Sequence, residues 1–283
     1  MCVDAGFSCP NRDGTKGLGG CIYCNSSSFS GNRSAALSVK EQIEKGRQFV
    51  KKRYGAEKFI VYFQRNTNTY APAEELKKNY DIIKKFPGAA GISVGTRPDC
   101  VNREILSLLS GYTSSYDVWI EYGLQSMHDK TLELINRGHG LNDFIKAFRL
   151  TRNFPDIKIC VHVIIGLPGE NFGDILQTAE FLGKLKVDGV KIHPLHVVKD
   201  TLLGRMYEKG EYSPLELKEY ASVISDFMER LHPSTVIHRI GADCTDETLL
   251  APEWIANKHK LIKQVELIMR EKGKYQGRLC RNG

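Results

Sequence analysis

Short apolar runs alternate with amphipathic stretches of helical spacing over the first 200 residues, and this alternation limits the fold more than any other feature. The runs are FIVYF at 59–63, AAGISVG at 89–95, DVWIEY at 117–122, IKICVHVII at 157–165 and VDGVKIH at 187–193. A further strand is expected near 1–5. Helical stretches at 38–53, 73–86, 101–110, 128–136, 141–153 and 171–186 separate them. Strands divided by helices imply βαβ units and a parallel sheet. Short strands rich in Val and Ile are the kind that such a sheet buries on both faces. Six strands fall short of the eight in a closed barrel, so the expectation is an α/β fold, a partial (β/α)6 barrel over 1–200.

The pattern changes after residue 200. Ser213-Pro214-Leu215-Glu216 reads as a helix start, with Ser as N-cap, Pro at the first position and Glu at the third. Apolar residues from Leu217 to Leu231 follow at helical spacing, and Pro233 ends the run. A strand over 235–240 and an amphipathic helix over 252–272 come next, and the tail from Tyr275 is expected to be loose or to pack as a flap. We therefore expect 201–283 to be a C-terminal α/β extension packed on the barrel, not an independent domain. No internal repeat and no low-complexity linker interrupts the chain. At 41% hydrophobic and 26% charged residues it can bury a core and is not disordered. No run approaches the ~20 apolar residues of a membrane span, and MCVDAGFSCPNRDG lacks the apolar segment of a secretion signal. A cytoplasmic protein without a membrane partner is the expectation. The formal charge of +7 favours anionic partners, nucleic acid included, but Lys and Arg are spread along the chain. Composition taken alone fits a merely basic surface better.

Three of eight cysteines crowd into Cys9-Pro-Asn-Arg-Asp-Gly-Thr-Lys-Gly-Leu-Gly-Gly-Cys21-Ile-Tyr-Cys24. Without a secretion signal, metal or redox chemistry is a better reading than a disulfide framework. The C-x2-C pair places two thiolates on one metal centre, and Cys9 can fold back across the glycine-rich loop to the same centre. Thiolates suit zinc or iron–sulfur. Three thiolates on a four-iron cluster would leave one iron open for chemistry, whereas Cys2 as a fourth ligand would close an inert zinc site. Spacing leaves both readings standing. The stretch lacks the G-x-x-x-x-G-K-[ST] order of a phosphate loop.

This segment, with FQRNTNTYAP at 63–72, GTRPDC at 95–100, EYGLQS at 121–126, NRGH at 136–139, IIGLPGE at 164–170 and HRIGADC at 238–244, resembles the radical S-adenosylmethionine (SAM) superfamily. More narrowly it resembles the YhcC/YtqA-like group related to Elp3-type enzymes. The resemblance implies a radical-SAM-type barrel and two cofactors, a [4Fe–4S] cluster on Cys9, Cys21 and Cys24, and SAM. It implies an enzyme that reductively cleaves SAM to methionine and a 5′-deoxyadenosyl radical, which abstracts hydrogen from substrate. The cofactor carries the hard chemistry, and the chain positions the reactants and excludes quenchers. An electron donor such as flavodoxin or ferredoxin is an implied partner, and tRNA is a candidate one.

The same resemblance assigns cofactor contacts. Tyr23 would line the cluster and the adenine edge. Thr67, Asn68 and Thr69 stand where many relatives carry Gly-Gly-Glu for the SAM amino group, so this chain lacks that Glu. Glu121, Gln125 and His162 match ribose contacts, Arg137 a partner of the SAM carboxylate, and Ile164 to Pro168 an adenine wall. Read without that context, Glu121 and Gln125 could cap a helix, Arg137 could be a helix-end cation and His162 a core histidine. Relatives carry a longer segment before the DAGF stretch, so a trimmed or late start, with part of the first strand missing, is expected here.

Lys191 and His193 alternate onto one face of the 187–193 strand, and strand C-termini build the active site of a barrel. Lys191, His193 and Cys244 are therefore catalytic candidates, and His196, His238, Arg239 and Asp243 are substrate candidates. Zinc on His193 and His196 lacks a third ligand close in sequence. Cys100 and Cys244 also read as buried structural thiols, and Cys244 as a hydrogen-atom relay. The competing functions are a radical SAM enzyme acting on a small molecule or peptide, and a non-catalytic cysteine–metal scaffold or redox sensor. Fold resemblance does not choose among substrates.

Overall fold

A computed structural model describes residues 1–25, 37–242 and 248–280. The chain runs β1 (Cys2–Val3), α1 (Val39–Tyr54), β2 (Phe59–Phe63), α2 (Ala73–Tyr80), β3 (Ala89–Thr96), α3 (Arg103–Ser110) and β4 (Asp117–Gln125). It continues through α4 (Asp129–Leu134), α5 (Leu141–Thr151), β5 (Ile157–Ile165), α6 (Phe172–Leu185), β6 (Gly189–Pro194) and β7 (Val197–Val198). The remainder is α7 (Leu202–Glu208), α8 (Leu217–Arg230), β8 (Val236–Arg239), β9 (Leu249–Ala251) and α9 (Lys258–Glu271). The strands hydrogen-bond in the order β1-β2-β3-β4-β5-β6-β8, so the expected parallel α/β sheet is present with six strands from the first 200 residues and a seventh from beyond them. No helix among the described residues is long and apolar enough to cross a membrane.

Two compact units make up the chain. The first gathers the described residues within 1–18, 30–123 and 142–160. Its strands pair in parallel, Val3 opposite Phe63, Phe63 opposite Val94 and Val94 opposite Ile120. Ser38 and Glu41 cap α1 reciprocally, each side chain accepting the other residue's backbone N–H at 3.3 and 2.8 Å. Phe63, Tyr80 and Tyr112 stack edge to face at 5.2 and 6.5 Å. These rings are nearly shut off from solvent.

The second unit gathers the described residues within 19–29, 124–141 and 161–283. Here β6 pairs in parallel with β8, while β7 and β9 form a separate antiparallel pair. That pair carries no clear signal in the sequence, because strands of two and three residues show no period. The start of α8 differs from the expectation. It begins at Leu217, not Pro214, because the Glu219 carboxylate accepts the Glu216 backbone N–H at 2.9 Å and stops the helix there. The last helix starts at Lys258, not Pro252, with Asn257 accepting the Lys260 N–H at 3.1 Å. The described part of the tail is packed. Arg278 pairs with the buried Glu229 carboxylate, and the Gln276 amide donates to the Thr235 carbonyl at 2.7 Å.

Helix α6 lies close against α8 because position 183 has no side chain, and a Cβ there would collide with the Arg230 carbonyl oxygen. Alanine at an open helical position would add about 1 kcal/mol of stability, so the collision decides the sign here. Gly183→Ala is expected to cost ~1–3 kcal/mol, read as a lower urea midpoint by circular dichroism. An unchanged or higher midpoint would show that the α6–α8 approach yields.

Candidate functional site

In the first unit the loop after Cys9 is closed by its own backbone. Arg12 and Asp13 donate to the Cys9 carbonyl at 2.8 and 3.1 Å, and Asp13 bridges Leu18. Lys16 reaches Asp99 at 2.5 Å, and Asp99 also takes Arg97 at 2.9 Å, so an almost fully buried carboxylate ties the loop to the segment after β3. Beside it the Cys100 thiol is pushed up to about 12 by burial and then by the Asp99 carboxylate, which fits the structural reading of that cysteine.

Thr67, Asn68 and Thr69 are all buried in this unit. The Asn68 amide donates to the carbonyls of Arg65 and Gly95 at 3.0 and 2.9 Å, and the Thr69 hydroxyl donates to the Cys100 carbonyl at 2.6 Å. Thr67 Oγ1 and Asn68 Oδ1 are left buried with no partner among the described residues. Such atoms are costly to leave empty-handed, so they mark a place where a polar ligand fits. Glu121 is 3% exposed, with Ser93 Oγ donating to its carboxylate and the Tyr62 phenol bonded to it as well. Burial first, and the Glu121 charge second, push the Tyr62 phenol well above its usual range. Glu121 is therefore no helix cap.

In the second unit Gly19 and Gly20 take φ of 78° and 79°, the left-handed region glycine enters freely, and so turn the chain into Cys21. Three hydrogen bonds then hold the segment. Ile22 N–H donates to the Ile135 carbonyl at 3.0 Å, Leu203 N–H to the Ile22 carbonyl at 2.9 Å, and the Asn136 amide to the Gly20 carbonyl at 2.8 Å. Cys24 N–H donates to the Cys21 carbonyl at 2.9 Å, which curls the C-x2-C turn. Neither cysteine is in a disulfide, nor is Cys9. The buried Arg137 guanidinium lies 3.6 Å from Cys21 Sγ, so it is not a solvated helix-end cation. Burial raises the Tyr23 phenol well above its usual range, Cys21 adds to this, and Arg137 opposes it.

Gln125 ends β4 with φ 73°, a strained conformation for a residue with a side chain. It shares a crevice with Ile164, Glu170 and Thr178. Glu170 accepts from Ser126 Oγ, and burial raises its carboxyl pKa. Ser126 and Glu170 end the EYGLQS and IIGLPGE stretches, but nothing local in the sequence signals that they pair.

The His162 and His193 rings stack at 5.2 Å with 32° between their planes. Lys191 stands opposite Arg239 on the neighbouring strand. Burial first, then the charges of His162, Arg239, Lys191 and His196, lower the His193 pKa well below its usual value. These five side chains are therefore brought together. His238 is exposed, and the β6–β8 register skips it, passing from Ile237 opposite Val190 to Arg239 opposite Lys191. Asp243 and Cys244 lie outside the described residues.

Two family models match the chain, that of the Radical SAM superfamily over residues 9–182 and that of the Radical_SAM C-terminal domain over 187–271. Protein YhcC of Escherichia coli is 38% identical over 96% of this chain and 87% of its own length. A tRNA uridine(34) acetyltransferase of Methanocaldococcus jannaschii is 34% identical over 47% of this chain and 25% of its own length. Among solved structures, that of Methanocaldococcus infernus Elp3 with an N-terminal deletion overlays with a TM-score of 0.68 at 21% identity, covering 84% of this chain and 59% of that one. At that identity the overlay speaks for the fold alone.

The raised Glu170 carboxyl sets a pH dependence of stability. Between the unfolded carboxyl value and the higher folded one, the folded state binds more protons, so stability falls as pH rises through that window. Glu170→Gln keeps an acceptor for Ser126 and should flatten this slope. Thermal melting of both proteins from about pH 4.3 upward checks it, and parallel curves would show that Glu170 carries no raised pKa.

Proposed function

The chain belongs to the radical SAM superfamily and is an enzyme of it, and we propose that it reductively cleaves SAM at a [4Fe–4S] cluster held by Cys9, Cys21 and Cys24. The observation that carries this reading is the C-x2-C turn, two thiols outside any disulfide, curled by one backbone bond, with a buried guanidinium against the first. A closed zinc site does not call for that cation, whereas a SAM carboxylate does. When bound and reduced, the cluster supplies the electron that converts SAM to methionine and the 5′-deoxyadenosyl radical.

The rest of the work falls to side chains. Arg137 pairs with the SAM carboxylate. Thr67 Oγ1 and Asn68 Oδ1, both buried without a partner, offer lone pairs to the SAM ammonium in place of the absent Gly-Gly-Glu carboxylate. Thr69, bonded to Thr96 at 2.5 Å, holds that turn in shape. Glu121, set by Ser93 and Tyr62, is a ribose acceptor, with Gln125 and His162 as further ribose contacts and Ile164 against the adenine. Tyr23, kept neutral by burial, lines the cluster and excludes water.

For the substrate we propose tRNA. The +7 charge and the relative named a tRNA uridine(34) acetyltransferase support this reading. An electron donor such as flavodoxin or ferredoxin supplies the reductant. Lys191 and His193 remain the candidates for chemistry on the substrate.

Anaerobic protein should hold about four iron and four sulfide, and dithionite with SAM should release 5′-deoxyadenosine. One zinc with no sulfide, even after reconstitution, would return the chain to the scaffold reading. Cys24→Ala should lose the iron and the charge-transfer absorbance. Arg137→Ala should keep the iron but weaken SAM binding by about tenfold or more, as expected for a lost charge-assisted contact, and unchanged affinity would remove that assignment. tRNA affinity should fall steeply with salt, and salt-independent or undetectable binding would point to a small substrate.

A further inference from the structure

Aromatic rings stand exposed among cations toward the end of α1, in the first unit. The inner stripe of this helix is spent on the unit's own core. Val39 and Ile43 are buried, the buried Gln42 amide donates to the carbonyls of Asp4 and Leu37 at 2.8 and 2.9 Å, and Gly46 lies against the Met1 side chain. Phe49 and Tyr54 are instead 60% and 68% exposed, and their rings meet edge to face at 6.5 Å. The Arg53 guanidinium lies over the Tyr54 ring, 5.6 Å from its centre. The edge-to-face contact uses one ring face and Arg53 another, and the rest stay open. Gly55, at φ 63°, ends the helix by donating to the Lys51 carbonyl at 2.9 Å, and this fixes the turn that carries these groups.

Charge on this surface is one-sided. Between positions 45 and 58, Lys45, Arg47, Lys51, Lys52, Arg53 and Lys58 stand against Glu57 alone, all of them exposed. The acids of α1 itself are engaged elsewhere, Glu41 in the cap with Ser38 and Glu44 with Arg47 at 2.8 Å. The helix dipole accounts for cations in a last turn. It does not call for two aromatic rings beside them, and neither ring is buried in the core. Open ring faces set among cations suit a partner that offers flat apolar faces and negative charge together. A nucleic-acid strand with unpaired bases offers both. Base-paired RNA hides the faces of its bases in its own stack. A membrane-surface helix lays a free apolar stripe into the lipid, and α1 has buried its own.

We propose that Phe49 and Tyr54, with Lys45, Lys51, Lys52 and Arg53, form a docking surface for single-stranded RNA. Bases stack on the open ring faces, and the cations take the phosphates. The inference rests on the reading that the substrate is tRNA, and it deepens that reading by placing the contact on unpaired loop nucleotides, not on paired stems. Stacking and phosphate contacts carry no base-edge code, so this surface supplies affinity and orientation and leaves base selection to other groups.

Fluorescence anisotropy on the full chain tests it, with a labelled oligouridylate of about twelve nucleotides, a length within the range such surfaces cover. The strand should bind. Phe49→Ala and Tyr54→Ala should each weaken it about fivefold or more, the lower end of the loss for one stacked base, while Phe49→Tyr, which keeps a ring, should bind as the parent does. Lys52→Met should lower the slope of log affinity against log salt by about 0.7, one phosphate contact on a single strand. The exposed Lys85→Met should leave the affinity unchanged and so exclude a general charge effect. Melting curves show that each variant folds. Tighter binding of an RNA duplex of the same length, alanine variants that bind the strand as the parent does, or binding of phosphatidylserine vesicles without RNA binding would overturn the proposal. If tRNA binds the parent and both alanine variants alike, this surface fails and the tRNA reading stands. If the parent binds no RNA at all, both fail. SAM cleavage is read by 5′-deoxyadenosine and is untouched by either outcome.

Discussion

The Arg137 guanidinium set against the Cys21 thiol is the contact around which the second unit's chemistry is arranged. A buried cation is expensive unless negative charge stands beside it, and a thiolate on a metal centre is such a charge. The turn that holds the pair is gripped through its own main-chain atoms, by two backbone bonds and one side-chain amide. Ile22 with Ile135, Leu203 with Ile22, and the Asn136 amide with Gly20 grip the cysteine segment along its length. Because these bonds use main-chain atoms, Tyr23, Ile22 and Cys21 can sit in an apolar cluster with Leu132, Ile135 and Leu203. The apolar wall keeps water away, and the guanidinium keeps the site receptive to anions.

The first unit solves a different problem with polar side chains. It must hold Cys9 at the mouth of a loop and present polar atoms after β2 and within β4. Asp99 does the first by binding Arg97 and Lys16 together. Ser93 and Tyr62 do the second for Glu121. Among the described residues of this unit, Arg65 Nε, Thr67 Oγ1 and Asn68 Oδ1 are buried without a partner, and the last two fall where a ligand is expected. In the second unit His193 Nε2 is one of the buried atoms with no partner among the described residues.

Much of the fold was legible because its periods are long. Strands β2 to β5 and helices α1, α3, α5 and α6 lie within a few residues of where apolar spacing puts them. The misplaced starts of α8 and α9 share a cause. Ser213-Pro214 and Pro252 both carry helix-start chemistry, but the hydrogen bonds that set each start come from Glu219 and Asn257. Local propensity offers several starts, and capping geometry picks one. The pair of β7 and β9 was invisible, since strands of two and three residues owe their pairing to a partner far along the chain.

What the sequence by itself determined is whatever depends on neighbours along the chain. The three-cysteine spacing, the glycines that turn the loop, the βαβ order and the family follow from residues read in a row. What only the tertiary structure decided is which distant groups share one environment. Arg137 meets Cys21 across 116 residues, and Lys191 faces Arg239 because the strand register skips His238. Charge interactions depend on distance in space and on burial, and a linear sequence encodes both only through the completed fold.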